Sequence, residues 1–201
     1  MPFVAKNLQT GERIDITKIS DPRNTLKSTE LVCQCCEWPM LIRSGLVTRP
    51  HFAHRPGRDE CPYVAYARSK SLEHLAAQEA LRDHLANWFQ EYTSTQAELE
   101  VMIRDTTHKK TRFADVMFTF PNGWRVAHEI QLASITTQEL DERTQDYLGA
   151  GIDVFWWFGR DADTVTNREW SYKTYGHALR ISIREATTAS DTSFIGQAQI
   201  N

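Results

Sequence analysis

The sequence predicts an α/β protein. A helix, three strands, a second helix and a further strand form a mixed sheet flanked by helices, and a small cysteine-rich module precedes them. Three observations carry this. All four cysteines and two of the seven histidines fall between Cys33 and Cys61. From Ser69 onward the apolar residues recur first at helical and then at alternating spacing. A final apolar run, Ile152 to Phe158, reads as a strand buried on both faces, which implies a parallel neighbour reached through the preceding helix.

Composition narrows the class. The 201 residues carry a formal net charge of −3, with 41% hydrophobic and 24% charged residues, which excludes collagen, coiled coil and wholesale disorder. The longest uninterrupted apolar run, Val154 to Phe158, is far short of the roughly 20 residues a membrane span needs. Residues 1 to 15 lack the apolar stretch of a signal peptide. The expectation is a soluble, cytoplasmic protein with no membrane partner. A slightly acidic total gives no overall basic coat, yet two segments are locally basic: Arg43, Arg49, Arg55 and Arg58, then Arg104, His108, Lys109, Lys110 and Arg112.

Residues 1–65 are read as the module, with short N-terminal strands. Its pattern is Cys33-x2-Cys36, fourteen residues, His51-x2-His54, six residues, then Cys61. In a chain without an export signal such a cluster reads as a metal site before it reads as disulfides. Two close ligand pairs can each wrap one edge of a tetrahedral zinc ion. Cys35 adjoins Cys36 and breaks the spacing, so it is a spare thiol. The favoured ligands are Cys33, Cys36, His54 and Cys61, with His51 as the alternate. Four protein ligands leave no open position, so the zinc is structural.

The second domain is read over 66–185. Leu81, Leu85, Trp88 and Phe89 mark a helix of roughly 20 residues with one apolar face, and Glu73 lies at the edge of that face. His74 and His84 read as ordinary helix residues. Leu99, Val101 and Ile103 alternate as in a strand, as do Ala114, Val116, Phe118 and Phe120. After Pro121-Asn122-Gly123, a turn signal, Trp124, Val126, His128, Ile130 and Leu132 alternate again. Thr136-x-x-Glu139 fits a capping box, and Gly149-Ala150-Gly151 the end of that helix. One more strand is expected near Leu179 to Ile183, followed by a disordered tail over 186–201.

The hairpin carries the chemistry. A three-residue loop opposes positions whose numbers sum to 244, which puts one apolar set against the other and sets Asp115 opposite Glu129; a two-residue loop would spoil the apolar face. Two opposed carboxylates about 5 Å apart repel. Folding does not ask for that, whereas a hard divalent cation such as magnesium removes the penalty. Gln131 shares the face of Glu129 and, being neutral, can position a water or phosphate oxygen but cannot act as a base. Arg143 and Tyr147 share a face of the next helix, suited to holding a phosphate of the substrate.

These residues resemble a known family. Arg112-Phe113-Ala114-Asp115-Val116, His128-Glu129-Ile130-Gln131, Glu142-Arg143-Thr144 with Tyr147, and Phe155-Trp156-Trp157 resemble the CoiA-like competence nucleases. Cys33-x2-Cys36 and Arg49-Pro50-His51-Phe52-Ala53-His54 resemble the zinc-finger-like module that precedes their nuclease domain. The resemblance implies the PD-(D/E)XK superfamily and a restriction-endonuclease-like core, with Glu73, Asp115 and Glu129 as ligands of Mg²⁺ (or Mn²⁺) and Gln131 at the position of the usual lysine. It also implies a metal-dependent deoxyribonuclease with DNA as partner. The alternative is a catalytically decayed nuclease fold that binds DNA without cleaving it. Homo-oligomerisation is left open.

Overall fold

The computed structural model describes residues 1–27, 30–45, 49–57, 60–89, 96–104, 110–184 and 195–200; Arg58, His108 and Lys109 lie outside them. The chain divides into two compact units, Met1–Ser71 and Leu72–Asn201.

In the first unit, β1 (Val4–Asn7) is flanked by β2 (Arg13–Asp15) and β3 (Leu31–Val32), both antiparallel to it. A single helical turn, α1 (Pro22–Thr25), is capped by the Asp21 side chain. A separate hairpin pairs β4 (Met40–Arg43) with β5 (His51–His54), and α2 (Pro62–Arg68) closes the unit. Phe3, Phe52 and Tyr63 are its largest buried side chains, with the Tyr63 hydroxyl donating to the Val4 carbonyl.

The second unit opens with α3 (Leu72–Trp88), which buries His74, Leu75, Gln78, Leu81, Arg82 and Leu85. Its sheet has six strands: β6 (Gln96–Arg104), β7 (Thr111–Thr119), β8 (Arg125–Gln131), β9 (Asp153–Phe158), β10 (Leu179–Arg184) and β11 (Ile195–Ile200), adjacent in that order. The first three form an antiparallel meander. β9 lies parallel to β8 and β10 parallel to β9, each reached through a helix, α4 (Thr137–Leu148) and α5 (Val165–Tyr175). The capping box at Thr136 and Glu139 is present on α4. Val101, Ile103, Met117, Leu140, Tyr147, Val154, Trp156 and Phe158 pack together as the core.

The mixed α/β architecture and the element order match the expectation. The hairpin register does too: Val116 opposes His128 and Phe118 opposes Val126, both pairs summing to 244. Two elements differ from it. No apolar stripe announced α5, because its fully buried residues are Asn167 and Ser171. Ile195–Ile200, expected within a disordered tail, forms an edge strand against β10, where the backbone ladder supplies the order that polar composition alone does not. Glycine is required at position 159, just past β9, since a Cβ there would meet the Ile181 carbonyl oxygen at 2.6 Å.

Candidate functional site

Within the first unit Cys33, Cys36, His54 and Cys61 place their ligand atoms within 4.8 Å of one another. The segment that follows β3 supplies the first two, the end of β5 the third, and the residue capping α2 the fourth. Cys33 Sγ is 3.8 Å from Cys61 Sγ and Cys36 Sγ is 3.5 Å from His54 Nε2. Tetrahedral zinc with ordinary bond lengths sets its ligand atoms roughly 3.5 to 3.8 Å apart, so the Cys3His group fits a metal such as zinc. The main-chain N–H of Cys35 donates to Cys33 Sγ, and Cys35 itself stays outside the group. His51, the alternate, is outside it as well: its Nδ1 donates to the Arg49 carbonyl at 2.9 Å. Burial pushes the Cys33 thiol up, whereas at Cys61 burial is outweighed by the main-chain N–H groups of Val64 and Tyr63 at the start of α2, which lower it.

The carboxylates of the second unit are arranged more tightly than their sequence spacing suggests. Asp115 is 0% and Glu129 1% exposed, so neither is a solvated strand residue. The β7–β8 ladder stops at Val116 and His128, one position short of them. The β6–β7 ladder skips Asp115 as well, running from Leu99–Val116 to Val101–Ala114 past Glu100, which has φ 52°. Side chains replace the missing ladder bonds. The Asp115 N–H donates to Glu129 Oε1 at 3.0 Å, and the Ile130 N–H donates to Asp115 Oδ2 at 2.9 Å. A non-glycine residue at positive φ costs on the order of 1 kcal/mol or more and concentrates at working sites.

Two helices hold these acids. From α3, His74 Nε2 lies 3.0 Å from Asp115 Oδ2, and Gln78 Nε2 donates to Asp115 Oδ1 at 3.0 Å. From α4, Arg143 pairs with Glu129 Oε2 at 2.5 Å, and the Tyr147 hydroxyl donates to Glu129 Oε1 at 2.7 Å. Arg143 also stacks over Trp156, 4.6 Å from the ring centre, and donates to Gln131 Oε1 at 3.2 Å. Burial works against its charge, but Glu129, Tyr147 and Asp115 outweigh that and hold the guanidinium above its usual pKa. Burial first, and then Glu129, push the Tyr147 phenol well above the ordinary tyrosine value, so it remains a neutral donor.

The structure therefore brings Asp115, Glu129, Gln131, Arg143 and Tyr147 together, and it gives three of the expected residues different partners. Glu73 faces Arg160, its Oε2 accepting from Nη1 at 2.9 Å, rather than the two strand acids. A helix residue one step round from Glu73 looks in another direction, and His74 takes the place against Asp115. Tyr147 is 1% exposed and donates its hydroxyl to Glu129, and Arg143 is that acid's counter-cation; the sequence reading gave both to substrate. Sequence reasoning missed His74, Gln78 and Glu100. The i, i+4 spacing of His74 and Gln78 was the available signal, but nothing local aims that spacing at Asp115. Asp115 and Glu129 are the oxygen donors a hard divalent cation takes, whereas the Cys3His group suits a softer one.

The model for competence protein CoiA, nuclease-like domain, matches residues 71–189. The chain belongs to the CoiA family. The model for the CoiA N-terminal domain matches residues 16–63, so both halves of this CoiA-family chain are accounted for in order. No curated protein and no solved structure matches it. The second unit is thus the nuclease-like domain, and the Cys3His group lies within the N-terminal match. No helix among the described residues is long and apolar enough to cross a membrane.

Proposed function

We propose that the Leu72–Asn201 unit hydrolyses phosphodiester bonds of DNA with Mg²⁺ or Mn²⁺, in DNA processing during competence or recombination, or in defence against foreign DNA. One observation carries the reading: two fully buried carboxylates, Asp115 and Glu129, sit where the strand ladder has opened between them. Burying two like charges side by side is costly, and donors converge on both acids from the main chain and two helices.

The donor set fits the cation. Asp115 and Glu129 would hold it, and when bound it supplies Lewis acidity and a water of lowered pKa. His74 and Gln78 orient the Asp115 carboxylate, while Arg143 and Tyr147 orient that of Glu129. Arg143 supplies positive charge beside the acids, where negative charge grows on the phosphoryl oxygens. Gln131 spans Arg143 and the Ala133 carbonyl, its Nε2 donating to the latter at 2.7 Å, so it braces the site where the superfamily's usual lysine would carry charge. The zinc unit would grip or orient DNA.

The neutral, internally bonded Gln131 favours one further reading, a fold that binds DNA without cleaving it. The deciding experiment incubates zinc-loaded protein with labelled single- and double-stranded DNA and Mg²⁺ or Mn²⁺, beside Asp115→Asn and Glu129→Gln. Cleavage by the wild type alone supports the nuclease. Binding without cleavage under either ion supports the second reading, and cleavage by both variants overturns the assignment of the site.

A further inference from the structure

The first unit holds a pocket of about 330 Å³ that the metal centre does not explain. Arg43, His51, His54, Arg55 and Arg68 line it, and no aspartate or glutamate does. Its walls come from the β4–β5 hairpin and α2. Arg43 and His51 are directly opposed across the β4–β5 hairpin, Arg55 follows β5, and Arg68 ends α2. Neither Arg43 nor Arg55 has an ion-pair partner among the described residues. Elsewhere in the structure guanidiniums do find carboxylates: Arg112 pairs with Asp146, Arg143 with Glu129, and Arg180 with Asp163.

Three guanidiniums gathered round one concavity repel, so packing alone does not select the arrangement. A bound oxyanion reverses the sign of that cost. Arginine suits it because the planar fork bonds two oxygens of a phosphate at once. We infer that this pocket is an anion subsite that seats a phosphate of the nucleic-acid backbone through Arg43, Arg55 and Arg68. In taking the anion to be a DNA phosphodiester this rests on the nuclease reading; the pocket itself does not.

The test is equilibrium binding of a fluorescent single-stranded oligonucleotide to the full, zinc-loaded chain without added Mg²⁺, across a salt series. Wild type is compared with Arg43→Gln/Arg55→Gln, both exposed positions, and inorganic tripolyphosphate is titrated in parallel. Zinc content and circular dichroism verify that the variant is folded. The inference predicts weaker binding, and a slope of log K against log salt shallower by about 1.4, two contacts at roughly 0.7 each for a single strand. Unchanged affinity and slope in the variant, with wild type binding normally, overturn the pocket and leave the nuclease reading intact. Tripolyphosphate binding that the variant loses, without any binding of the oligonucleotide, overturns the assignment to a nucleic-acid backbone. Binding of neither probe by wild type overturns the subsite altogether.

Discussion

The main-chain N–H of Asp115 donates to the Glu129 carboxylate at 3.0 Å, so the two acids are joined where the strands would otherwise pair. Glu129 is at once a candidate ligand and the structural substitute for a ladder bond. Truncating it strands the partly buried Arg143 charge, the Tyr147 hydroxyl and the Asp115 amide together. Glu129→Ala is therefore expected to lower stability by about 3 kcal/mol, whereas Glu129→Gln fills the space and keeps one acceptor oxygen but not the charge that balances Arg143, so a smaller loss is expected. Both should lose cleavage. Urea unfolding beside the nuclease assay checks this, and equal stability of the two variants contradicts the bonding scheme.

The Tyr147 hydroxyl is spent on Glu129, to which it donates at 2.7 Å. Tyr147→Phe removes one buried donor and leaves the ring packed, so the expected cost is about 1 to 2 kcal/mol. Cleavage should fall through kcat, with KM for DNA nearly unchanged. A rise in KM at constant kcat would instead mean that the hydroxyl touches DNA.

Removal of the metal should unfold the first unit, because the four ligands come from the segment after β3, from β5 and from the cap of α2, and the ion ties these together. One zinc per chain is expected by elemental analysis. Cys36→Ser and His54→Ala should lose it. Cys35→Ser and His51→Ala should retain it, since those side chains lie outside the group. Zinc loss from His51→Ala alone would reassign the fourth ligand.

Burial pushes His128 down from 6.5 to about 3, and Trp157 Nε1 donates to its Nδ1 at 3.1 Å, so the ring is neutral in the folded protein. Below pH 6.5 the unfolded chain binds a proton there that the folded chain does not. Stability should thus fall as pH drops from that value towards about 3, at up to about 1.4 kcal/mol per pH unit from this group. Denaturant midpoints at pH 7, 5 and 4 measure the slope, and His128→Leu should flatten it. An unchanged slope in that variant places the acid sensitivity elsewhere.

The Gly159 position offers a backbone test. Gly159→Ala would press a Cβ on the Ile181 carbonyl, forcing β9 and β10 apart beside Gln131. The expected loss is about 1 to 3 kcal/mol, read as a lower melting temperature.

The metal ligands of the first unit were legible because zinc imposes close pairs, and close pairs are a property of spacing. The strand register was legible for a similar reason, since only one pairing buries Val116, Phe118, Val126 and Ile130 on one face. Asp115 and Glu129 followed from that register directly. Sequence alone therefore pointed to the family, the element order from α3 to β9, the cysteine-histidine cluster and the opposed acids. Tertiary structure decided what surrounds those acids. His74 and Gln78 reach Asp115 from a helix some 40 residues earlier in the chain, and Arg143 and Tyr147 turn inward to Glu129 because α4 crosses over the sheet between two parallel strands. Glu73 bonds Arg160 while His74 meets Asp115 because helix packing sets which face of α3 meets β7, and a step of one residue turns a side chain by about 100°. Local patterning records periodicity, whereas the direction in which a helix presents its polar residues is settled only when it packs.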